Sequence, residues 1–329
     1  MKTTVLLCTL ALSFCFINRM KQIVHKVNKI RTTWKAREIT KDYRPYLGTF
    51  LDDDLSLPRK TFKEEELRDD LPENFDLREA YPNCESLKEI RDQANCGSCW
   101  AFGAAEAMSD RICIASDQKL QTRVSTQDLL TCCGECGFGC NGGWPAQAWK
   151  HWKTDGLCSG GLYGDTKTCM PYFLPMCDHH TNGTHGACPD TTDTPTCDKT
   201  CNSEYGKTYE EDVTYASDAY TVSGEKNIMN ELYTKGSVEG SFTVYEDFLA
   251  YSSGVYQHVE GSQLGGHAIK IIGWGVENDT KYWLCVNSWN DEWGDKGTFK
   301  ILRGENECGI ESSAAAGTPK LDLKVKIPM

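Results

Sequence analysis

Positive charge is in short supply in this chain: 35 Lys and Arg stand against 47 Asp and Glu, for a formal net charge of −12. Nucleic acid, which is captured on basic surfaces, is thereby excluded as a partner. Long apolar runs are also missing. The one candidate, residues 3–17, follows Lys2 and stops at Asn18-Arg19. It has the length of a signal-peptide core and is too short to span a bilayer. We therefore read residues 1–18 as a signal peptide, cut between Cys15 and Met20, and expect no membrane span. Internal repeats are absent, which excludes solenoids and arrays. Histidine is scarce, with seven in 329 residues, so few imidazoles are available for chemistry. Otherwise 40% hydrophobic and 25% charged residues describe an ordinary globular chain, long enough for two packed lobes.

Cysteine is what the chain has in excess. Sixteen of its 18 cysteines lie between Cys84 and Cys308, a density that implies an oxidising compartment. The sequons at Asn182 and Asn278 agree with passage through the secretory pathway. Charge is unevenly spread: residues 19–49 carry +7, residues 50–70 carry −4 and residues 71–329 carry −16. A basic leader joined to an acidic body suggests that the two dock. Ile23, Val27, Ile30 and Trp34 recur at spacings of four, three and four, predicting an amphipathic helix over 20–37. Leu71-Pro72 opens a different composition, and we place the start of the main domain at about residue 71.

From Ser98 the alanine-rich run CWAFGAAEAMSDRI predicts a helix starting near Cys99. Residues 132–143 and 158–201 read as disulfide-held loops. Beyond about 218, short β-prone runs at 254–258, 268–274, 282–286 and 298–302 alternate with glycines.

The stretch Gln93-Ala-Asn-Cys96-Gly-Ser-Cys99-Trp100 carries the chemistry. A thiolate is the nucleophilic form of cysteine, and a helix N-terminus stabilises it. Cys99 sits where the helix should begin. Together with Asn28–Ala36, Cys140-Asn-Gly-Gly143, Gly265-Gly-His267-Ala, Asn287-Ser-Trp289 and Cys177-Asp-His179-His180, this stretch resembles the papain-like cysteine proteases. Within them it is similar to the cathepsin B group, and the likeness runs from about 20 to 318.

The resemblance implies an α+β, papain-like two-lobe fold. A helical lobe at about 82–217 would carry Cys99, and a β-barrel lobe at about 218–318 would carry His267 and Asn287. His267 would pair with Cys99, Asn287 would orient the imidazole under Trp289, and Gln93 with the Cys99 N–H would form the oxyanion hole. Gly142, Gly143 and Gly266 would line the substrate strand, and Ser313 would stand at the base of the S2 pocket where the family often has an acid. His267 and Asn287 follow Cys99 by 168 and 188 residues, more than the usual gaps of about 130–150, so an insertion lies between. Residues 169–201 fit the occluding loop, whose His179 and His180 would hold a substrate C-terminus and add peptidyl-dipeptidase to endopeptidase activity. Two clamps would close it, Asp92 with His179 and His185 with Glu292. A zinc site built from the clustered His and Cys is the rival reading of that loop.

The resemblance also suggests the pairs Cys84–Cys113, Cys96–Cys140, Cys132–Cys197, Cys133–Cys136, Cys169–Cys201 and Cys177–Cys188, leaving Cys158, Cys285 and Cys308 free. It makes residues 19–70 an inhibitory propeptide and 71–329 the mature enzyme, lysosomal or secreted. The expected partners are peptide and protein substrates, its own propeptide and cystatin-type inhibitors, with no cofactor or metal. A catalytically inactive binding homologue is the alternative function, and it requires loss of a nucleophile that is present here.

Overall fold

The computed structural model describes residues 2–30, 32–40, 47–52, 56–178, 183–188 and 192–321. It opens with helix α1 (Lys2–Lys29), which runs unbroken through the expected cleavage region. Met20, Ile23, Val24 and Val27 form its buried face, at the three-and-four spacing of an amphipathic helix. The stripe ends there, contrary to expectation. Ile30 is 45% exposed, and Trp34 belongs to strand β1 (Trp34–Ala36). Two physical causes act. Thr32 and Thr33 are β-branched and lower the helical preference. The Asn28 amide then clasps the returning chain, donating to the Ala36 carbonyl at 2.7 Å and accepting from its N–H at 3.1 Å. Trp34 is nonetheless buried, because β1 pairs antiparallel with β5 (Tyr251–Tyr256) and places its indole 6.1 and 5.1 Å from the rings of Tyr251 and Tyr256.

The basic leader does dock on the acidic body. Arg19 pairs with Glu246 at 3.3 Å and with Glu260 at 3.6 Å, Lys26 pairs with Glu260, and Lys60 reaches Glu231 at 3.0 Å. The partly exposed Arg19 and Lys26 pairs stabilise by about 0–1 kcal/mol each, whereas each large apolar side chain buried contributes about 1.5–3 kcal/mol. The apolar face therefore holds the leader, and the charges select its orientation.

Helix α2 (Leu77–Ala80) follows the short β2 (Phe75–Asp76) and leads to the long α3 (Cys99–Ala115). Against α3 pack α4 (Thr126–Cys132) and α5 (Pro145–Thr154), whose Trp149 and Trp152 are buried. A one-turn α6 (Tyr209–Asp212) closes this part. All six disulfides suggested by the resemblance are formed.

The remaining elements are β3 (Ala216–Val222), α7 (Glu225–Lys235), β4 (Val238–Tyr245), β5, β6 (Gln263–Glu277), β7 (Thr280–Val286), β8 (Thr298–Leu302) and β9 (Ala314–Pro319). They form one sheet of order β1-β5-β8-β7-β6-β4-β9-β3, with β2 also on β6. This corrects the expected barrel: the sheet is open, with β1 and β3 at opposite ends. Closure fails because β3 and β9 turn toward α5 and α3 and bury their alanines there, while the leader supplies β1 at the far edge. Two main cores result. One lies on the sheet and includes Trp274, Trp283, Trp289, Trp293 and the leader; the other lies among α3, α4 and α5.

Candidate active site

Cys99 is the first residue of α3 and is fully buried. The turn before it is pinned by the Cys96–Cys140 disulfide, so the thiol sits at the positive end of a helix. His267 lies on β6 opposite Phe242 of β4, and Asn287 follows the last residue of β7. Its side-chain oxygen is 2.8 Å from His267 Nε2 and also accepts the Ser288 N–H at 2.8 Å. That second bond orients the amide, so Nε2 donates and Nδ1 is left for proton exchange with Cys99. The Trp289 indole lies over the imidazole, 4.7 Å between centroids and tilted 32°.

Electrostatics distinguish Cys99 from the other free thiols of the main domain. Burial alone would raise its pKa. The charge and hydrogen bond of His267, with smaller contributions from Thr49 and the Ala268 backbone, outweigh burial and bring it down to about 7. Burial pushes Cys158, Cys285 and Cys308 upward; neighbouring carboxylates add to this at Cys158 and Cys308. Gln93 is fully buried on the segment leading to Cys99. Its amide donates to the Cys96 carbonyl at 2.8 Å and accepts from Ser288 Oγ at 2.9 Å.

The cleft holds a segment of the leader that the sequence did not single out. Gly48 N–H and the Thr49 hydroxyl lie 3.3 and 3.2 Å from Cys99 Sγ. Gly143 N–H donates to the Gly48 carbonyl at 2.8 Å, Phe50 N–H to Gly143 at 3.1 Å, and Thr49 N–H to Gly266 at 3.1 Å. Thus Gly143 and Gly266 hold an extended chain by its backbone. A Cβ on Gly266 would meet the Thr49 carbonyl at 2.2 Å, and one on Gly143 would meet the Trp100 ring at 2.7 Å. Phe50 packs on Trp144 with centroids 4.8 Å apart, close against Gly142. Residues 47–52 carry no recognisable motif and no periodicity, so only the folded cleft reveals them.

Beside this strand lies a cavity of about 280 Å³ walled by Ser313, Cys308, Ser241, Thr221 and Trp144. Its one charged wall residue is Asp52, which belongs to the leader. Ser313 lines this pocket, whose wall mixes hydroxyl groups with apolar side chains.

His179, His180 and Asn182 lie outside the described residues. Asp92 receives the Cys177 N–H and the Asn290 amide, both at 3.0 Å, and so anchors the start of the loop. The second clamp differs from expectation. His185 faces Asp291 at 3.5 Å, whereas Glu292 accepts from the Thr184 N–H and hydroxyl at 2.8 and 3.0 Å. Gly183 leaves no room beside the Glu292 carboxylate, which brings Thr184 rather than His185 against it. Among the described residues, one cluster has metal-ligand spacing: Cys158, Cys169 and Asp212. Cys169 is bound to Cys201 and offers no thiolate, so the cluster does not fit a metal.

A nucleophilic thiol lowered by an imidazole, the imidazole held by an amide, and a peptide strand across both define a cysteine protease in its zymogen form. The family model for papain family cysteine protease matches residues 71–318, and the chain belongs to that family. Among curated relatives it is 53% identical over 264 residues to cathepsin B-like cysteine proteinase 6 of Caenorhabditis elegans, covering 79% of this chain and 70% of the relative. It is 49% identical to the cathepsin B-like cysteine proteinase of Schistosoma japonicum, with 80% and 77% covered. Among solved structures, procathepsin B S9 of Trypanosoma congolense superposes with a TM-score of 0.78 at 37% identity, covering 93% and 98%.

Proposed function

We propose that this chain is the zymogen of a cathepsin B-like peptidase of the secretory pathway, resident in the lysosome or the extracellular space. It cleaves peptide bonds both as an endopeptidase and as a peptidyl-dipeptidase. Residues 1–18 are the signal peptide, 19–70 the inhibitory propeptide and 71–329 the mature enzyme. The observation that carries the reading is the Cys99 thiol drawn down to about 7 by His267, itself held by Asn287 at 2.8 Å.

The Cys99 thiolate attacks the scissile carbonyl and forms the acyl-enzyme, while His267 gives its proton to the departing amine. Water then attacks the thioester. His267 takes the water proton and returns the thiolate, and the product acid leaves. The Gln93 amide and the Cys99 N–H stabilise the oxyanion at both steps. Gly143 and Gly266 hold the substrate backbone as they hold residues 48–50, and Ser313 sets preference at P2. His179 and His180 bind the substrate's terminal carboxylate, which gives dipeptide release.

The test is turnover of the processed enzyme on a short fluorogenic peptide and on a longer peptide with a free C-terminus. Both are cleaved, the second with stepwise dipeptide release; blocking that C-terminus suppresses the stepwise mode. His179→Ala with His180→Ala removes dipeptide release and keeps internal cleavage. Retained dipeptide release overturns the loop assignment. At P2, Ser313→Glu raises the Arg/Phe ratio, since an uncharged hydroxyl cannot pair with guanidinium. An unchanged ratio removes Ser313 from the pocket.

A further inference from the structure

The docked leader covers several surfaces: residues 47–52 cover the cleft, residues 58–62 lie against β3 and α7, and α1 with β1 covers a separate face at β5. We propose that this last face becomes an exosite when the leader departs, and that it captures partner polypeptides carrying a basic amphipathic helix followed by a Trp-bearing strand. The proposal rests on the reading that mature enzyme begins at about residue 71.

The exposed edge makes the argument. β5 is parallel-paired with β8 on one side, and on its other side it pairs with the leader. Val255 N–H donates to the Thr33 carbonyl at 2.9 Å, and the Val255 carbonyl accepts from the Thr33 hydroxyl at 2.5 Å. The Ala250 carbonyl accepts from Arg37 N–H at 2.8 Å, and the Gln257 carbonyl from the Trp34 indole at 2.9 Å. Removing residues 19–70 strips all four bonds at once. An unprotected strand edge is a template for another strand.

The face is also shaped for one chemistry. Gly254 sits at φ +84, and a Cβ there would meet the Thr33 carbonyl at 2.4 Å, so its absence admits a strand at close range. Beside it, Tyr251 and Tyr256 form a slot that takes an indole. Next to the slot lies the apolar stretch Phe248–Ala250, on which the leader's Met20, Ile23 and Val27 pack before it departs, rimmed by Glu246 and Glu260. Apolar slot, open edge and acidic rim match a basic helix plus aromatic strand, because charge complementarity steers and apolar burial holds. Arg37 on this face and Gly48 at Cys99 are eleven residues apart in the chain, so one polypeptide can occupy exosite and cleft together. Binding at the exosite then raises the effective concentration of a distant peptide bond at Cys99.

The experiment uses enzyme processed from the full chain and a synthetic peptide of residues 18–40, which stops short of the cleft segment. Trp34 fluorescence reports binding. The peptide binds, and it leaves turnover of a short fluorogenic substrate unchanged. A reporter joining residues 18–40 through a flexible linker to a cleavable peptide shows a KM about tenfold below that of the same reporter with Trp34→Ala. Glu246→Lys with Glu260→Lys weakens the peptide about tenfold at low salt, and the difference shrinks at high salt. Equal KM for the two reporters, slowing of the short substrate, or indifference to the charge reversal overturns the exosite. If the short substrate is not turned over at all, the proposed function fails instead, and the fluorescence measurement still decides the exosite.

Discussion

Charge decides among the buried thiols of this molecule. Cys99, Cys158 and Cys285 are all without solvent exposure, yet only Cys99 has an imidazole against it. Iodoacetamide at pH 7 therefore modifies Cys99 in the processed enzyme and spares Cys158 and Cys285, as peptide mass mapping will show. Asn287→Ala frees the imidazole to rotate and lowers kcat by about 10² with KM little changed. A loss confined to KM contradicts the positioning role. At this scale the grouping of Cys99, His267 and Asn287 could be read from sequence, because each sits in a short motif. The partner of His185 could not be read. Asp291 and Glu292 are adjacent and alike in charge, and which one it meets depends on where Gly183 lets the backbone pass.

Among the elements, α3 begins at Cys99 as its composition requires, and the strands expected at 268–274, 282–286 and 298–302 reappear in β6 to β8, while that expected at 254–258 starts earlier and ends at Tyr256 in β5. The helix expected over 20–37 fails after Lys29 because Trp34 finds its partner, Gly254, far along the chain. A four-residue apolar spacing cannot reveal that. The open sheet has the same origin, since its ends are set by what packs on them rather than by strand propensity. The loop anchor at Glu292 carries a prediction of its own. Glu292→Gln keeps an acceptor for Thr184 and preserves most dipeptide release, whereas Glu292→Ala lowers dipeptide release relative to internal cleavage several-fold. Equal loss in both variants contradicts a hydrogen-bonded anchor.

For the whole molecule, pH acts on the seam where α3 meets β4 and β6. Glu106 of α3 is buried there with Lys270 of β6 at 3.9 Å, Asp110 of α3 bound to the same lysine at 3.0 Å, Glu239 of β4, and Arg91 and Glu89 in front. Burial raises Glu106 to about 7, and Glu239 is raised as well for the same reason. A carboxyl whose folded pKa exceeds its unfolded value costs nothing below about 4.5 and removes stability as pH rises through the folded value. The processed enzyme therefore melts several degrees lower at pH 7.5 than at pH 5, and Glu106→Gln flattens that slope. A slope unchanged by Glu106→Gln and Glu239→Gln together places the lability elsewhere. The leader obeys the opposite sign. Its hydrogen bond to Lys26 holds Glu260 below the usual carboxylate range, so that docking contact persists at neutral pH and is lost only as pH falls through the lowered value. A peptide of residues 19–70 inhibits more strongly at pH 7 than at pH 3.5, and equal inhibition removes the electrostatic contribution.

All of this depends on Cys99 being the nucleophile of a self-restrained peptidase, and one comparison tests that most directly. The full chain and its Cys99→Ser variant are incubated at acid pH, each alone and with a trace of processed enzyme, while intact mass and peptide hydrolysis are followed. The wild type shortens to a form beginning near residue 71 and gains activity. The variant alone stays full-length and inactive; with the trace of enzyme it is trimmed to the same form, yet adds no activity beyond the trace. A Cys99→Ser chain that processes itself, or that hydrolyses peptide at more than a small fraction of the wild-type rate, contradicts the account.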